Sequence, residues 1–386
     1  MGRRLPISCT PSEMTSLVAF PAFFALGLSN NIGYVVVSAL ADPMMKEFGK
    51  LDLIGLVTLA MGIGTVLVSA SNLFMTSLSM SSRVVTALAC SVLGALLLTL
   101  TIQAVLSASI VAIILISCAS SFGEIAILSS MSRFPDGSLG MWTAGTGAAG
   151  ILGTAFALLT KSAGADLRTR VSIGLFPAAA LFALCYPLAK RSADQDPDAA
   201  LAHKMPARLT TTRVAGALRS AWVHIGNVAW MYFVVAAMHG LLASRCQALA
   251  TSSAGKQPSW AVQHSLEILI LCMQSGIFVA RSSLSFVTIR RFSLILVPLT
   301  ATFALFVAHV RAPFMPLEAQ FALMGLTGLL SGATYANALY DMTKRYDNPI
   351  PIRDQPLCVT LAGTGGALAA VLSSVLQVVA GSQGWL

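Results

Sequence analysis

Of the 15 acidic residues in this 386-residue chain, Glu124 is the one placed deep inside a long apolar stretch. It sits about six residues before the end of that stretch, roughly 9 Å deep at 1.5 Å of helix rise per residue. An ionised carboxylate at bilayer depth costs about 2.5–3.5 kcal/mol, so it must be protonated, paired with a cation or open to a wet cavity. Two roles satisfy that requirement. A carboxylate fixed by an arginine or by backbone donors locks two helices together; one facing a cavity couples protons or binds substrate. Other polar groups in apolar surroundings raise the same question. Asn30 and Asn31 form an amide pair midway along the first apolar stretch, beside Ser29, Gly33 and Tyr34. One amide can be a packing clasp, but the cluster reads as cavity-lining. Tyr335 and Asn337 follow Gly332 in a later stretch that ends at Asp341. His239 is the histidine deepest in an apolar run, either a satisfied structural residue or a proton-linked group. Arg281 and Ser282 close another run, as a topology anchor or as part of a gating ion pair.

No nucleophile–base set, no HExxH and no close carboxylate pair occurs, so catalysis is not expected. The seven cysteines show no CxxC spacing and read as small hydrophobes, so neither metal nor cofactor is expected.

The elements that position these residues follow from composition. Hydrophobic residues make up 56% of the chain and charged residues 10%, against about 25% charged in soluble domains. That excludes an ordinary soluble enzyme, a disordered protein and a nucleic-acid-binding module, and it makes the lipid bilayer the solvent. Spans of roughly 20 apolar residues fall near 17–41, 53–75, 84–102, 104–130, 139–160 and 170–189. A polar stretch follows, and further spans lie near 222–243, 262–280, 292–309, 317–340 and 356–380. The expectation is an all-α polytopic membrane protein of about eleven helices, arranged six plus five. It divides into an N-terminal lobe 1–190, a basic loop 191–221 and a C-terminal lobe 222–386.

With the N-terminus in the cytosol, sixteen of the 24 Lys and Arg residues fall on the cytosolic side. That bias predicts a cytosolic N-terminus and central loop and a lumenal C-terminus, and it gives the net charge of +9 an orientational meaning. In the central loop Val214, Leu218 and Trp222 recur every four residues among Arg208, Arg213 and Arg219, the pattern of a basic amphipathic helix on the membrane face. A disordered linker is the alternative.

The two halves share a design. Ser121-Phe122-Gly123-Glu124 precedes a basic turn at Arg133 and then the run Ala144 to Gly150, which contains Thr146 and Gly147. Ser331-Gly332-Ala333-Thr334 precedes Lys344-Arg345 and then Ala362 to Ala367. Parallel halves of this kind mark major-facilitator transporters, with the chain stopping after the equivalent of the eleventh helix. The glycine runs read first as tight helix packing and second as a face lining a solute path.

Gly27-Leu28-Ser29-Asn30-Asn31 with Tyr34-Val35-Val36 resembles the first-helix signature of the battenin family. Ser121–Glu124, Trp142–Gly150, Gly276–Leu284 and Gly328–Asn337 follow in the family's order. The resemblance implies a major-facilitator-like fold in lysosomal or vacuolar membranes, with family roles in pH homeostasis, basic amino-acid transport and glycerophosphodiester export. Carried over by motif, it marks Asn30, Asn31, Tyr34, Glu124, Thr146, Gly147, Arg281, Ser282 and Asn337. Two departures stand out. Where many members carry an acidic residue and an Asn-Gln-Gly triplet in the seventh helix, this chain reads Ala237-Met238-His239-Gly240, and the C-terminal prenylation cysteine of some members is missing.

The expected function is a secondary transporter of a small polar solute. Glu124 is its proton-linked group, Asn30, Asn31, Tyr34, Thr146, Gly147, His239, Tyr335 and Asn337 line its cavity, and Arg281 and Ser282 gate it. Protein partners are unknown. An equilibrative nucleoside-type transporter and a non-transporting scaffold or trafficking regulator are the alternatives.

Overall fold

Hydrocarbon offers no partner to backbone N–H and C=O groups, so apolar stretches of this length close their hydrogen bonds internally as helices. A computed structural model describes residues 11–383 except 51–52, 75–78, 132–133, 135–136, 194–209, 254–258 and 345–349. Among the described residues are eleven helices of at least 16 residues. The first six are α1 (Pro11–Ala39), α2 (Gly55–Phe74), α3 (Met80–Thr101), α4 (Leu106–Leu128), α5 (Ser138–Ser162) and α6 (Leu167–Ala193). They are followed by α7 (Thr211–Ala237), α8 (Ser265–Ser282), α9 (Leu296–Arg311), α10 (Leu317–Thr343) and α11 (Gln355–Ser382). Helix α7 continues through a π-helical turn, Met238–Leu242, into Ala243–Ser253. Each crossing reverses the chain. We call the side where α1 starts the near side and the other the far side.

Ten of these helices are long and apolar enough to cross a membrane. The exception, α10, has the length at 27 residues but carries Gln320, Thr327, Ser331, Thr334 and Asn337, all buried against protein. These polar groups face other helices while Leu326 and Leu329 stay exposed, so α10 carries a packed polar face beside a narrow apolar one, which lowers its hydropathy.

The stretch expected to form a basic amphipathic helix is helical, but among the described residues it is continuous with a span. Its Val214, Leu218 and Trp222 belong to the first turns of α7, which starts at Thr211 with the Thr210 hydroxyl accepting from the Arg213 N–H at 3.3 Å. Leu218 and Trp222 are exposed there. Arg208 and the rest of 194–209 lie outside the described residues, as do Cys9, Arg133 and Arg345. The six described cysteines are free thiols.

Helix contacts repeat at an offset of six. α1 packs along α5 as α7 packs along α11, and α2 along α4 as α8 along α10. The two most extensive contacts between the lobes are α5 on α8 and α11 on α2. This is the six-plus-five, major-facilitator-like arrangement. The glycine runs serve these contacts. A Cβ on Gly147 of α5 would stand 2.8 Å from the Phe278 Cα of α8, so the two backbones can approach only with glycine there.

The apolar core divides unevenly. On the near side one cluster runs through both lobes, from Phe23 and Trp142 to Met342 and Cys358. On the far side the N-terminal lobe keeps its own cluster around Leu40, Met61, Leu98 and Ile113.

Candidate functional site

Between the lobes lies a cavity lined from both of them. Helices from both lobes turn polar groups into it: Asn31 and Tyr34 (α1), Thr65 (α2), Ser121 and Glu124 (α4), Thr146 (α5), Tyr232 and His239 (α7 and its π turn), Gln274 and Arg281 (α8), and Tyr335 (α10). Glu124 lies four residues before the near-side end of α4. Gly123 before it has no room for a side chain, because a Cβ would collide with the Asn30 amide oxygen.

A chain of contacts crosses the seam twice. The Tyr335 hydroxyl of the C-terminal lobe donates to Glu124 Oε1 of the N-terminal lobe. The Arg281 guanidinium lies over the Tyr335 ring, 4.2 Å from its centroid, and its Nη1 donates to the Thr146 hydroxyl at 2.7 Å. The Thr143 hydroxyl donates to the Arg281 carbonyl at 3.3 Å. Tyr232 meets Tyr335 edge to face at 6.4 Å. A carboxyl, a phenol and a guanidinium are thus held in sequence in a low-dielectric seam, where each strengthens its neighbour.

A second polar group lies toward the far side. The His239 Nδ1 sits 3.2 Å from the Val235 carbonyl, which accepts only if that nitrogen carries the proton. Its Nε2 then accepts from the Gln274 amide at 2.9 Å. His239 also borders a second chamber, which shares Ser38, Thr58, Thr154 and Ile270 with the central cavity. In that chamber Lys161 of α5 is ion-paired with Glu267 of α8 across the seam. Arg170 is fixed by Nε donating to the Thr160 hydroxyl and Nη2 donating to the Ala157 carbonyl, both at 3.1 Å.

Of the residues singled out by sequence, Asn31, Tyr34, Glu124, Thr146, His239, Arg281 and Tyr335 meet at the central cavity. Four do not. Asn30 is a clasp, its amide donating to the Ser120 carbonyl at 3.0 Å. Gly147 sits in the α5–α8 contact, and Ser282 is half-buried behind the cavity wall with no hydrogen-bond partner for its hydroxyl. Asn337 faces the α8–α9 connection, where its Oδ1 accepts the Ile289 N–H at 2.6 Å. Arg281 engages a hydroxyl and an aromatic face, and no ion pair forms between it and a described carboxylate.

Sequence reasoning passed over Tyr232, Gln274 and the Lys161–Glu267 pair. Gln274 was visible as an amide inside a span. Tyr232 was hidden in the aromatic run Trp230–Phe233, and the ion pair joins residues 106 apart. His224, also not singled out from the sequence, lies well inside α7 and pairs with Asp341 at 2.8 Å.

The battenin of Dictyostelium discoideum is 24% identical over 382 residues, covering 88% of this chain and 89% of that protein. Two solved structures share the fold. A bacterial homologue of the iron transporter ferroportin, outward-facing, aligns at TM-score 0.61 and 15% identity over 95% of this chain and 92% of its own. The human organic anion transporter MFSD10 aligns at TM-score 0.64 and 11% identity over 98% and 95%. The CLN3 protein profile matches residues 21–215 and 232–381. With nearly the whole chain matched in the order of its helices, this multi-pass membrane protein belongs to the CLN3 protein family.

Proposed function

We propose that the chain is a secondary transporter of the lysosomal or vacuolar membrane. It moves a small polar solute, of the basic amino-acid or glycerophosphodiester class, by alternating access between a lobe ending near residue 190 and a lobe starting near 222. The near side, with the N-terminus and the 191–221 region, is cytosolic, and the C-terminus is lumenal. Glu124 is the proton-linked group, and the transport it couples contributes to lysosomal pH homeostasis.

The observation that carries this reading is the contact chain Glu124–Tyr335–Arg281–Thr146, which crosses the seam twice at the wall of an open cavity. An ionised Glu124 accepts strongly from Tyr335 and attracts Arg281 through space. Protonation removes that attraction and loosens the seam on the near side. A solute with an anionic group competes for Arg281, and one with a cationic group competes for Glu124. Either way, solute and proton act on the same two interlobe contacts. A scaffold without a transport cycle has no use for a polar-lined cavity between two lobes, which favours transport over that alternative.

The test is pH-driven uptake into vesicles holding the purified chain, with separate arms for a basic amino acid, a glycerophosphodiester and a nucleoside. Glu124→Gln keeps the shape and removes the titration. Uptake by wild type that loses its pH dependence in Glu124→Gln is expected, and unchanged pH dependence overturns the proton role. Nucleoside uptake alone would transfer the reading to an equilibrative nucleoside-type transporter.

A further inference from the structure

The connection between α8 and α9 on the near side has a composition that the solute path does not use. Phe286 is 89% exposed, Val287 57% and Leu294 63%, and between them Arg290 and Arg291 are exposed. Neither arginine forms an ion pair with a described carboxylate. Exposed apolar groups of this size in a surface connection are costly in water and favourable at a bilayer surface.

The connection is also held in place. Asn337 Oδ1 accepts the Ile289 N–H at 2.6 Å, and the Asn337 amide is itself fixed on the Ala333 carbonyl at 2.8 Å. Two residues past the arginines, the Ser293 hydroxyl accepts from Asn227 of α7 at 2.8 Å, and Phe292 lies 5.5 Å from the His224 ring. Buried polar partners on both neighbouring helices thus present Phe286 and the arginine pair in a fixed setting. This accounts for Asn337, a buried amide the cavity does not use.

We propose that residues 286–294 form a binding site for anionic phospholipid headgroups, with Phe286 and Val287 entering the acyl boundary and Arg290 and Arg291 pairing with the phosphate and carboxylate of the lipid. Guanidinium suits this role, since its planar fork binds both oxyanions bidentately. The commitment to an anionic lipid, rather than any lipid, rests on the two adjacent unpaired positive charges. It does not depend on the transport reading.

Native mass spectrometry of the full chain, released from nanodiscs of mixed phosphatidylcholine and phosphatidylserine, reads lipid retention directly. About a 30-fold preference for phosphatidylserine is expected, the ratio for two arginines at about 1 kcal/mol each. Arg290→Gln with Arg291→Gln should bring the ratio near one, whereas Arg290→Lys with Arg291→Lys, which keeps the charge but loses the bidentate fork, should give an intermediate ratio. Phe286→Ala should weaken retention of both lipids with little change in their ratio. The same substitutions to Gln at Arg168 and Arg311, both exposed on the far side, control for general charge. An unchanged ratio in the double Gln variant overturns the site. So does equal loss in the far-side control, or a dimer whose dissociation, rather than lipid release, follows the Gln substitutions.

Discussion

The seam between the lobes is closed differently at its two ends. On the near side it is dry and heavily bonded. An apolar cluster runs through both lobes, the Asn72 amide of α2 donates to the Thr360 hydroxyl of α11 at 3.2 Å, and Lys344 Nζ donates to the Phe134 carbonyl at 3.1 Å. The Glu124–Tyr335 and Arg281–Thr146 contacts add to these from the cavity wall. On the far side the lobes keep separate cores around a chamber, and the charged contact across the seam is Lys161–Glu267, whose lysine is 38% exposed. Buried polar contacts are costly to break because both partners lose solvent as well as each other, while a half-exposed ion pair exchanges readily for water. The lobes are therefore tied together mainly at the near side and held more weakly at the far side.

The largest effect should come from the bond that ties Glu124 to the opposite lobe. Tyr335→Phe leaves a buried carboxyl without its hydrogen-bond donor, and hydrogen bonds to charged groups contribute about 1.5–3 kcal/mol. Thermal unfolding in detergent should show that loss, and cysteine labelling from the near side should increase. A Tyr335→Phe chain as stable and as closed as wild type would break the comparison.

Gly147→Ala tests the helix contact shared by both ends. Its Cβ would meet the α8 backbone at 2.8 Å, so the helices must separate or shift at a cost of about 1–3 kcal/mol. Gly226→Ala has open space at its Cβ and lies in the same helical setting, so it should be neutral or stabilise by up to about 1 kcal/mol. Unfolding curves of the two variants compare contact against propensity. Equal effects would mean that close approach of α5 and α8 does not hold the seam.

These residues also mark how far the sequence could be read. Helix number and order were legible because a bilayer demands long apolar runs, and Glu124 was legible because one acid stood apart from all the others. Facing was not. Asn337 and Tyr335 lie two residues apart on α10, and only the packed helix shows that Tyr335 enters the cavity while Asn337 holds the connection behind it. In a helix polar all along its length, periodicity cannot tell the wet face from the packed one. Lys161 and Glu267 were out of reach for another reason. Each sits at the end of its own span, where a lone charge reads as a boundary marker, and nothing local connects the two.

The far-side pair should have a smaller effect of a different kind. Lys161→Gln is expected to lower stability by at most about 1 kcal/mol at low ionic strength and by nothing measurable at high salt, since an exposed ion pair is screened. Labelling from the far side should rise at low salt alone. A large, salt-independent loss would place Lys161 among the buried contacts and make the two ends alike.

The smallest effect separates the ends by pH. Asp166, fully exposed in the far-side turn before α6, is held below the usual carboxylate range by hydrogen bonds from Thr169, first from its hydroxyl and then from its backbone N–H at 3.0 Å. A depressed carboxyl stabilises the fold above its unfolded pKa of about 3.9, and that contribution is lost as pH falls through the folded value. Wild type should therefore exceed Asp166→Ala in unfolding temperature at neutral and mildly acid pH, with the gap closing below about pH 4. Mild acidity then leaves this cap intact, so an acid-driven change above that range has to come from elsewhere. If the gap between wild type and Asp166→Ala instead closes well above pH 4, Thr169 does not hold the Asp166 carboxyl low, and the far-side turn itself responds to mild acid.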